Sequence, residues 1–237
     1  KNRGHYFSGL SFNSISVKKN DIFFAIKGTN INGNKYIKDA IKKGARTIVS
    51  NLNFKGLKKK VLYIKSKDSR KLLSEVATKF YKNKPKNLVA VTGTNGKSSI
   101  SDFYFQILKL NKKKVASIGT LGVKTHFNNI KMKNTTLDPI LLNKHLQKIK
   151  KQKIENVILE ASSHGLKQHR LDGLNFKLGI FTNLSRDHLD YHKSYQDYLN
   201  SKLILFKNLL KNNSGVIIDK DIPQYKIIKN ITERKKL

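Results

Sequence analysis

The stretch Gly93–Ser99, GTNGKSS, follows the apolar run LVAVT and has the residue types of a phosphate-binding turn. Glycines allow several backbone N–H groups to converge on one hollow, and the start of a following helix adds its positive end. A lysine in that turn reaches terminal phosphates, and the next hydroxyl can enter a magnesium shell. Gly93, Thr94, Asn95, Gly96, Lys97, Ser98 and Ser99 are therefore the expected phosphate cradle. The eight-residue pattern GxxxxGK[ST] is not met, whereas the shorter TGTxGK[ST] is. Such a loop points to a nucleoside triphosphate and does not by itself name a reaction.

A second group of residues lies downstream. Glu160 closes the apolar run NVILE, at the carboxyl edge where parallel sheets place their sites. A carboxylate buried there is costly without a cation, and magnesium is the natural partner. His188 follows the run IFTN on a neighbouring loop and could join as a neutral ligand. His164, His169, His188 and His192 all fall in this part of the chain. Taken singly, each reads as a core or capped histidine. Their spacing fits no compact zinc pattern, and carboxylate plus hydroxyl suits a hard ion.

The elements that must position these groups are legible as two α/β blocks. In the first, DIFFAIKG (Asp21–Gly28), RTIVS and VLYIK read as strands. NKYIKDAIKKGA reads as an amphipathic helix stopped by Gly44, and DSRKLLSEVATKFY as a helix capped by Asp68. The polar, proline-bearing KNKPKN (Lys82–Asn87) is the expected linker, which predicts domains at 1–86 and 87–237. In the second block, LVAVTG, KVASIGT, NVILEA, KLGIFTN and GVIID read as strands. The intervening helices run from Lys97 to Leu110, over DPILLNKHLQKIKK with Pro139 in its first turn, and over SYQDYLNSKLILFKNLL. This alternation predicts an α/β fold with a mostly parallel, doubly wound sheet.

Composition narrows the class. The 237 residues contain no cysteine, so neither disulfides nor thiolate metal sites are available. No apolar run suits a signal peptide or a bilayer span, which predicts a soluble cytoplasmic protein. The chain begins at Lys1 rather than at methionine and reads as a fragment. The formal charge of +34 invites a nucleic-acid reading, but arginine, the residue of phosphate forks, supplies only Arg3, Arg46, Arg70, Arg170, Arg186 and Arg234. Lysine spread along the whole chain reads instead as a compositional bias of solvated faces, with no nucleic-acid partner.

The combination TGTNGKSS, NTT (Asn134–Thr136), SSHGLKQHR, NLSRDHLDYH and the lysine in YLNSKLILF resembles the Mur ligases. Among them it is most similar to those that add the third residue of the peptidoglycan stem peptide. FNSISVKKNDIFFAIKGTNINGNKYI resembles that family's uridine-binding segment, so the likeness spans nearly the whole chain. It implies a small N-terminal α/β uridine-binding domain followed by a P-loop-type central ATPase domain, with a C-terminal amino-acid-binding domain absent from the chain. The implied reaction uses ATP and Mg2+ to join an amino acid, meso-diaminopimelate by family frequency, to UDP-N-acetylmuramoyl-L-alanyl-D-glutamate through an acyl phosphate. The enzyme is expected to be monomeric and away from membranes, and residues 1–237 alone are expected not to turn over.

By the same resemblance, Lys97, Glu160, His188 and Lys202 are catalytic. Ser98, Glu160, His188 and Lys202 (as a carbamate) are implied metal ligands. Asn134, Thr135, Thr136, Ser162, Gln168 and Arg170 match positions gripping the muramoyl dipeptide, and Phe12, Ser14, Thr29, Asn30 and Ile31 match uridine contacts. Asn13 and Ile15 depart from the family's usual Asp and basic residue, and Ser98–Ser99 replace its commoner pair of threonines. Two other readings compete. A folylpolyglutamate synthetase-like ligase would share the phosphate loop but not SSHGLKQHR, and a basic P-loop ATPase acting on nucleic acid would bind it with a steep salt dependence.

Overall fold

The computed structural model describes residues 6–28, 31–188 and 190–237. The chain divides into two compact units, Lys1–Ala77 and Thr78–Leu237.

The first unit is built on strands β1 (Gly9–Ser11), β2 (Asp21–Phe24), β3 (Thr47–Ser50), β4 (Gly56–Lys58) and β5 (Val61–Lys65). Their order is β1-β2-β3-β5-β4, with β4 antiparallel to β5 and the other pairs parallel. Helix α1 (Ile37–Lys42) buries Ile37 and Ala40 against Phe23, Ile48 and Val61. Gly44 ends it at φ +105°, a conformation side chains resist, with its N–H on Ile41 O. Helix α2 (Ser69–Phe80) starts where expected, since Asp68 Oδ1 accepts from the amides of Arg70 and Lys71 at 3.0 and 2.9 Å. The strand expected over Asp21–Gly28 is shorter, because the chain turns back after Phe24 and Gly28 N–H reaches Ile31 O.

The second unit carries a seven-stranded sheet of β6 (Asn87–Thr92), β7 (Val115–Gly119), β8 (Gly122–Thr125), β9 (Asn129–Ile130), β10 (Asn156–Glu160), β11 (Phe176–Phe181) and β12 (Leu210–Ile218). The order is β12-β11-β6-β10-β7-β8-β9, parallel through β7 and then antiparallel. The runs LVAVTG, NVILEA and KLGIFTN are therefore neighbours, in the order β11-β6-β10. Both faces of this sheet are covered, which is why LVAV and NVIL are apolar without alternation. Val89, Val91 and Ile158 face Ile100 and Tyr104 of α3 (Lys97–Leu110). Leu88, Ala90, Val157 and Leu159 join the larger core on the other face, with α4 (Pro139–Lys151), α6 (Tyr195–Ile204) and α7 (Tyr225–Lys235). Asp138 caps α4 by accepting from Ile140 and Leu141 N–H, and Pro139 follows it, as expected.

The long helix expected over SYQDYLNSKLILFKNLL is a correction. It is α-helical only to Ile204, and Leu205–Leu209 widen into a π turn that buries Leu205, Phe206 and Leu209. The chain then enters β12 directly at Leu210, five residues before the run GVIID. The elements β1, β4, β8, β9 and α5 (Ser163–Lys167) are too short for a period to show, whereas helix α7 is an addition to the expected elements although Ile227, Ile228 and Ile231 recur at helical spacing. Among the described residues no helix is long and apolar enough to cross a membrane.

Leu146 of α4 is completely buried in the main core. Leu146→Ala is expected to cost about 2–5 kcal/mol of unfolding free energy, measured as a lowered urea midpoint at constant m-value.

Candidate active site

The phosphate loop is pinned from the strand next door. Gly93 has φ +147°, and a Cβ there would lie 1.8 Å from Thr182 Oγ1, so only glycine allows the backbone to approach the end of β11 this closely. Asn183 O accepts from Thr94 N–H at 2.9 Å, Asn183 Oδ1 from Asn95 N–H at 3.0 Å, and Thr182 Oγ1 donates to Asn95 O at 2.7 Å. Gly96, at φ +82°, caps α3. The first-turn amides of this fourteen-residue helix and the loop thus present one anion-binding hollow. Lys97 Nζ is folded onto Gly93 O (3.0 Å) and Thr94 O (2.7 Å). Partial burial lowers its pKa, opposed by the charges of Glu160 and Asp187.

Glu160 ends β10 with its side chain buried. Both oxygens of its carboxylate accept hydrogen bonds. Oε1 accepts from Thr120 N–H, and Oε2 from the hydroxyls of Thr120 and Ser98, each at 3.0 Å. The carboxylate occupies the place where a Cβ of Gly119 would stand, 2.1 Å from Oε1. Thr120 was not among the residues singled out from sequence. A hydroxyl directly after strand β7 marks a site only once β10 is seen to lie beside it.

Lys202 sits one helical turn after Tyr198 on α6 and is 1% exposed. Among the described residues it is the single buried lysine. Its Nζ donates to Gly93 O at 2.6 Å and lies 4.3 Å from the centre of the Tyr198 ring, whose hydroxyl is 3.2 Å from Thr94 Oγ1. Burial, reinforced by the charge of Lys97 and opposed by Asp187, brings the Lys202 ammonium down to about 7.

The histidines separate into roles. His188 is exposed at φ +53°, its ring 5.2 Å from His164 and 6.2 Å from Tyr198, and its Nε2 3.5 Å from Asp187 Oδ2. His164 stacks on Tyr191 at 3.8 Å. His192 is buried between Ser163 Oγ (3.0 Å) and Ser201 Oγ (3.4 Å). Burial is the main cause that lowers the pKa of both His164 and His192, keeping them neutral. His169 pairs with Asp172 at 3.0 Å.

One cavity of about 280 Å³ gathers Thr94, Asn95, Gly96, Lys97, Ser98, Ser99, Thr120, Thr135, Ser162, His188 and Lys202. Glu160 lies behind Ser98 and Thr120. Thr136 is buried beside it, its hydroxyl 2.9 Å from Glu160 O and 3.0 Å from Ser162 Oγ, while Ser162 caps α5. Arg170 donates to Gln168 Oε1 and to Thr136 O, and Gln168 Nε2 to Tyr191 Oη. Asn134 is exposed. In the first unit, Phe12 and Ser14 follow β1 and Ile31 follows its parallel neighbour β2, both beyond carboxyl ends. Phe12 and Ile31 are exposed, and Ser14 is buried in a 3-10 turn. Thr29 and Asn30 lie outside the described residues.

The donors match a hard cation. Among the described residues no three His, Asp or Glu side chains converge as a metal cluster. What the site offers is one buried carboxylate with two hydroxyls directed at it and an imidazole on the same cavity, an oxygen-rich set that suits Mg2+ better than zinc.

Comparison with known proteins identifies the family. The Mur ligase middle domain matches residues 91–237, and the catalytic domain of the Mur ligase family matches residues 6–81. The chain is 44% identical over 231 residues to the UDP-N-acetylmuramoyl-L-alanyl-D-glutamate--2,6-diaminopimelate ligase of Rickettsia conorii, covering 95% of this chain and 48% of that one. The protein of the same name from Clostridium tetani is 39% identical over 230 residues, covering 95% and 47%. A solved structure of a ligase of that name superimposes with a TM-score of 0.84 at 30% identity, covering 97% of this chain and 46% of that one. The chain thus spans about half the length of the curated relatives it matches. With both domain models matched in order and the phosphate loop, Glu160 and Lys202 held around one cavity, the chain belongs to the Mur ligase family.

Proposed function

We propose that this protein is an ATP-dependent amide ligase that adds meso-diaminopimelate to UDP-N-acetylmuramoyl-L-alanyl-D-glutamate. The observation that carries the reading is the meeting of Lys97, Ser98 and the buried Lys202 on a single cavity backed by Glu160. The likeness to diaminopimelate ligases at 44% identity supplies the substrates.

In this reading the amides of Gly93–Ser99 and the Lys97 ammonium hold the ATP phosphates. Phe12, Ser14, Thr29, Asn30 and Ile31 hold uridine, and Asn134, Thr135, Thr136, Ser162, Gln168 and Arg170 orient the dipeptide. The glutamate γ-carboxylate attacks the γ-phosphate to give an acyl phosphate and ADP. The incoming amine then adds to the acyl carbon and expels phosphate. No side-chain nucleophile is required, so the work of the protein is positioning and neutralising charge. Ser98, Glu160, His188 and the Lys202 carbamate would hold magnesium, which supplies charge neutralisation at the transferred phosphate.

A carbamate forms when CO2 adds to a neutral amine and one proton is released. An exposed lysine is almost wholly protonated at neutral pH, whereas Lys202, with a pKa near 7, is neutral in substantial part. In 13C-bicarbonate, a carbamate resonance is expected to grow between pH 6 and pH 8, as the amine loses its proton. It should be absent from Lys202→Met. A signal independent of pH, or one that survives the substitution, assigns it to another group.

Activity is tested by phosphate release with the muramoyl dipeptide and diaminopimelate. A chain spanning the full length of the relatives should turn over, and Lys97→Ala or Lys202→Ala should lower kcat at least about a hundredfold. Residues 1–237 by themselves are expected to bind the dipeptide and ADP without turnover. Full activity in Lys202→Ala would sink the reading.

A further inference from the structure

Thr120 holds a place at this site that the family resemblance did not assign. It is the first residue after β7, in the turn to β8, and it lines the cavity together with the phosphate loop's hydroxyl, Ser98. Its backbone N–H binds Glu160 Oε1 and its hydroxyl binds Oε2, both at 3.0 Å, so a single residue grips the two carboxylate oxygens. The preceding Gly119 leaves the space into which Oε1 fits. Beyond Glu160, the same hydroxyl is 3.1 Å from Thr135 Oγ1, in the loop carrying Asn134–Thr136.

Proton accounting fixes the direction of this chain. A carboxylate only accepts, so the single hydroxyl proton of Thr120 goes to Glu160. Thr120 Oγ1 must then accept from Thr135. The order is Thr135 to Thr120 to Glu160, a line of three groups in which each hydroxyl polarises the next. The Ser98 hydroxyl also spends its proton on Oε2. Both hydroxyls therefore keep a lone pair free of their own protons, available for a cation.

Resting on the ligase reading, we propose that Thr120 is a positioning residue that fixes the Glu160 carboxylate for the divalent cation and ties it to Thr135, so that the dipeptide loop and the phosphate side of the cavity are energetically linked. Groups that orient a metal ligand typically change metal affinity ten- to a hundredfold when removed.

The test uses Mn2+ as the probe, titrated with ADP present and followed by electron paramagnetic resonance. Wild type, Thr120→Ser, Thr120→Val, Thr135→Val and the double valine variant are compared, with ADP affinity in EDTA measured alongside. Thr120→Val should weaken Mn2+ roughly tenfold, with metal-free ADP affinity within about twofold of wild type, a split that general loosening of the fold would not produce. Thr120→Ser, which keeps both donors, should restore wild-type Mn2+ affinity. Thr135→Val should weaken Mn2+ by about two- to threefold and add nothing to Thr120→Val, because its effect passes through the Thr120 hydroxyl. Mn2+ affinity in Thr120→Val within twofold of wild type overturns the proposal, and full additivity of the two valine substitutions overturns the link to Thr135. If Thr120→Val does not melt cooperatively, an unchanged Mn2+ affinity in Thr135→Val, or a loss in Thr120→Ser, overturns it instead. A wild-type protein that binds neither ADP nor Mn2+ with ADP fails earlier, and sinks the ligase reading itself.

Discussion

The side chain of Glu160 imposes the strictest demand on the second unit. A carboxylate at the end of a central parallel strand, 2% exposed, loses nearly all of its water, and each lost hydrogen bond has to be replaced by a protein donor. The three replacements come from two places far apart in the sequence: the hydroxyl of Ser98 at the start of α3, and the N–H and hydroxyl of Thr120 after β7. They meet only if β6, β10 and β7 end level with one another. The register does this, pairing Glu160 with Val91 and Leu159 with Ile118, which leaves Gly119 beside the carboxylate. A slip of one residue in either pairing would turn Glu160 to the wrong face and set a side chain against its donors.

The opposite wall of the cavity follows from close backbone contact rather than from charge. Gly93 lies against Thr182, and the loop after β11 hydrogen-bonds Thr94 and Asn95, so the phosphate loop is held in shape by its neighbour in the sheet. That contact also brings Gly93 O within 2.6 Å of Lys202. Apolar packing of α6 supplies the burial, and Tyr198 supplies a ring face beneath the ammonium and a hydroxyl bond to the loop. The histidines His164 and His192 serve this packing, since burial keeps both rings neutral among Tyr191, Ser163 and Ser201.

What the sequence revealed is what local chemistry determines. The phosphate loop was legible because its glycines, lysine and hydroxyl are contiguous, and because β6 before it is apolar on both faces. Glu160 stood out as a charge closing such a run. Thr120 did not, because its role depends on β10 inserting between β6 and β7, an order that no local pattern encodes. The strands β8 and β9, four and two residues long, are too short for a period to show. The π turn at Leu205–Leu209 went unseen because its apolar residues continue the helical pattern and only the backbone widens. Lys202 was singled out by family resemblance alone. In a chain so rich in lysine, spacing cannot distinguish one, whereas burial does.

That burial has a consequence for the other lysine of the cavity. Lys202 and Lys97 both donate to Gly93 O, and the positive charge of Lys97 is one of the causes that lower the Lys202 pKa. Two ammonium groups on one carbonyl oppose each other, so loss of the proton from Lys202 favours charge on Lys97. A carbamate on Lys202 would go further and place a negative charge where a positive one stood. Lys97, whose own pKa is lowered by burial, would then be held firmly as a cation. The same change would add an anionic oxygen pair to a site that has one buried carboxylate of its own. The formal charge of +34 over the chain favours the approach of anionic ligands to the protein. Within the cavity the arrangement differs: a pair of lysines, unequal in burial, meets on one carbonyl, and under the proposed reaction one would hold phosphate while the other would become a ligand.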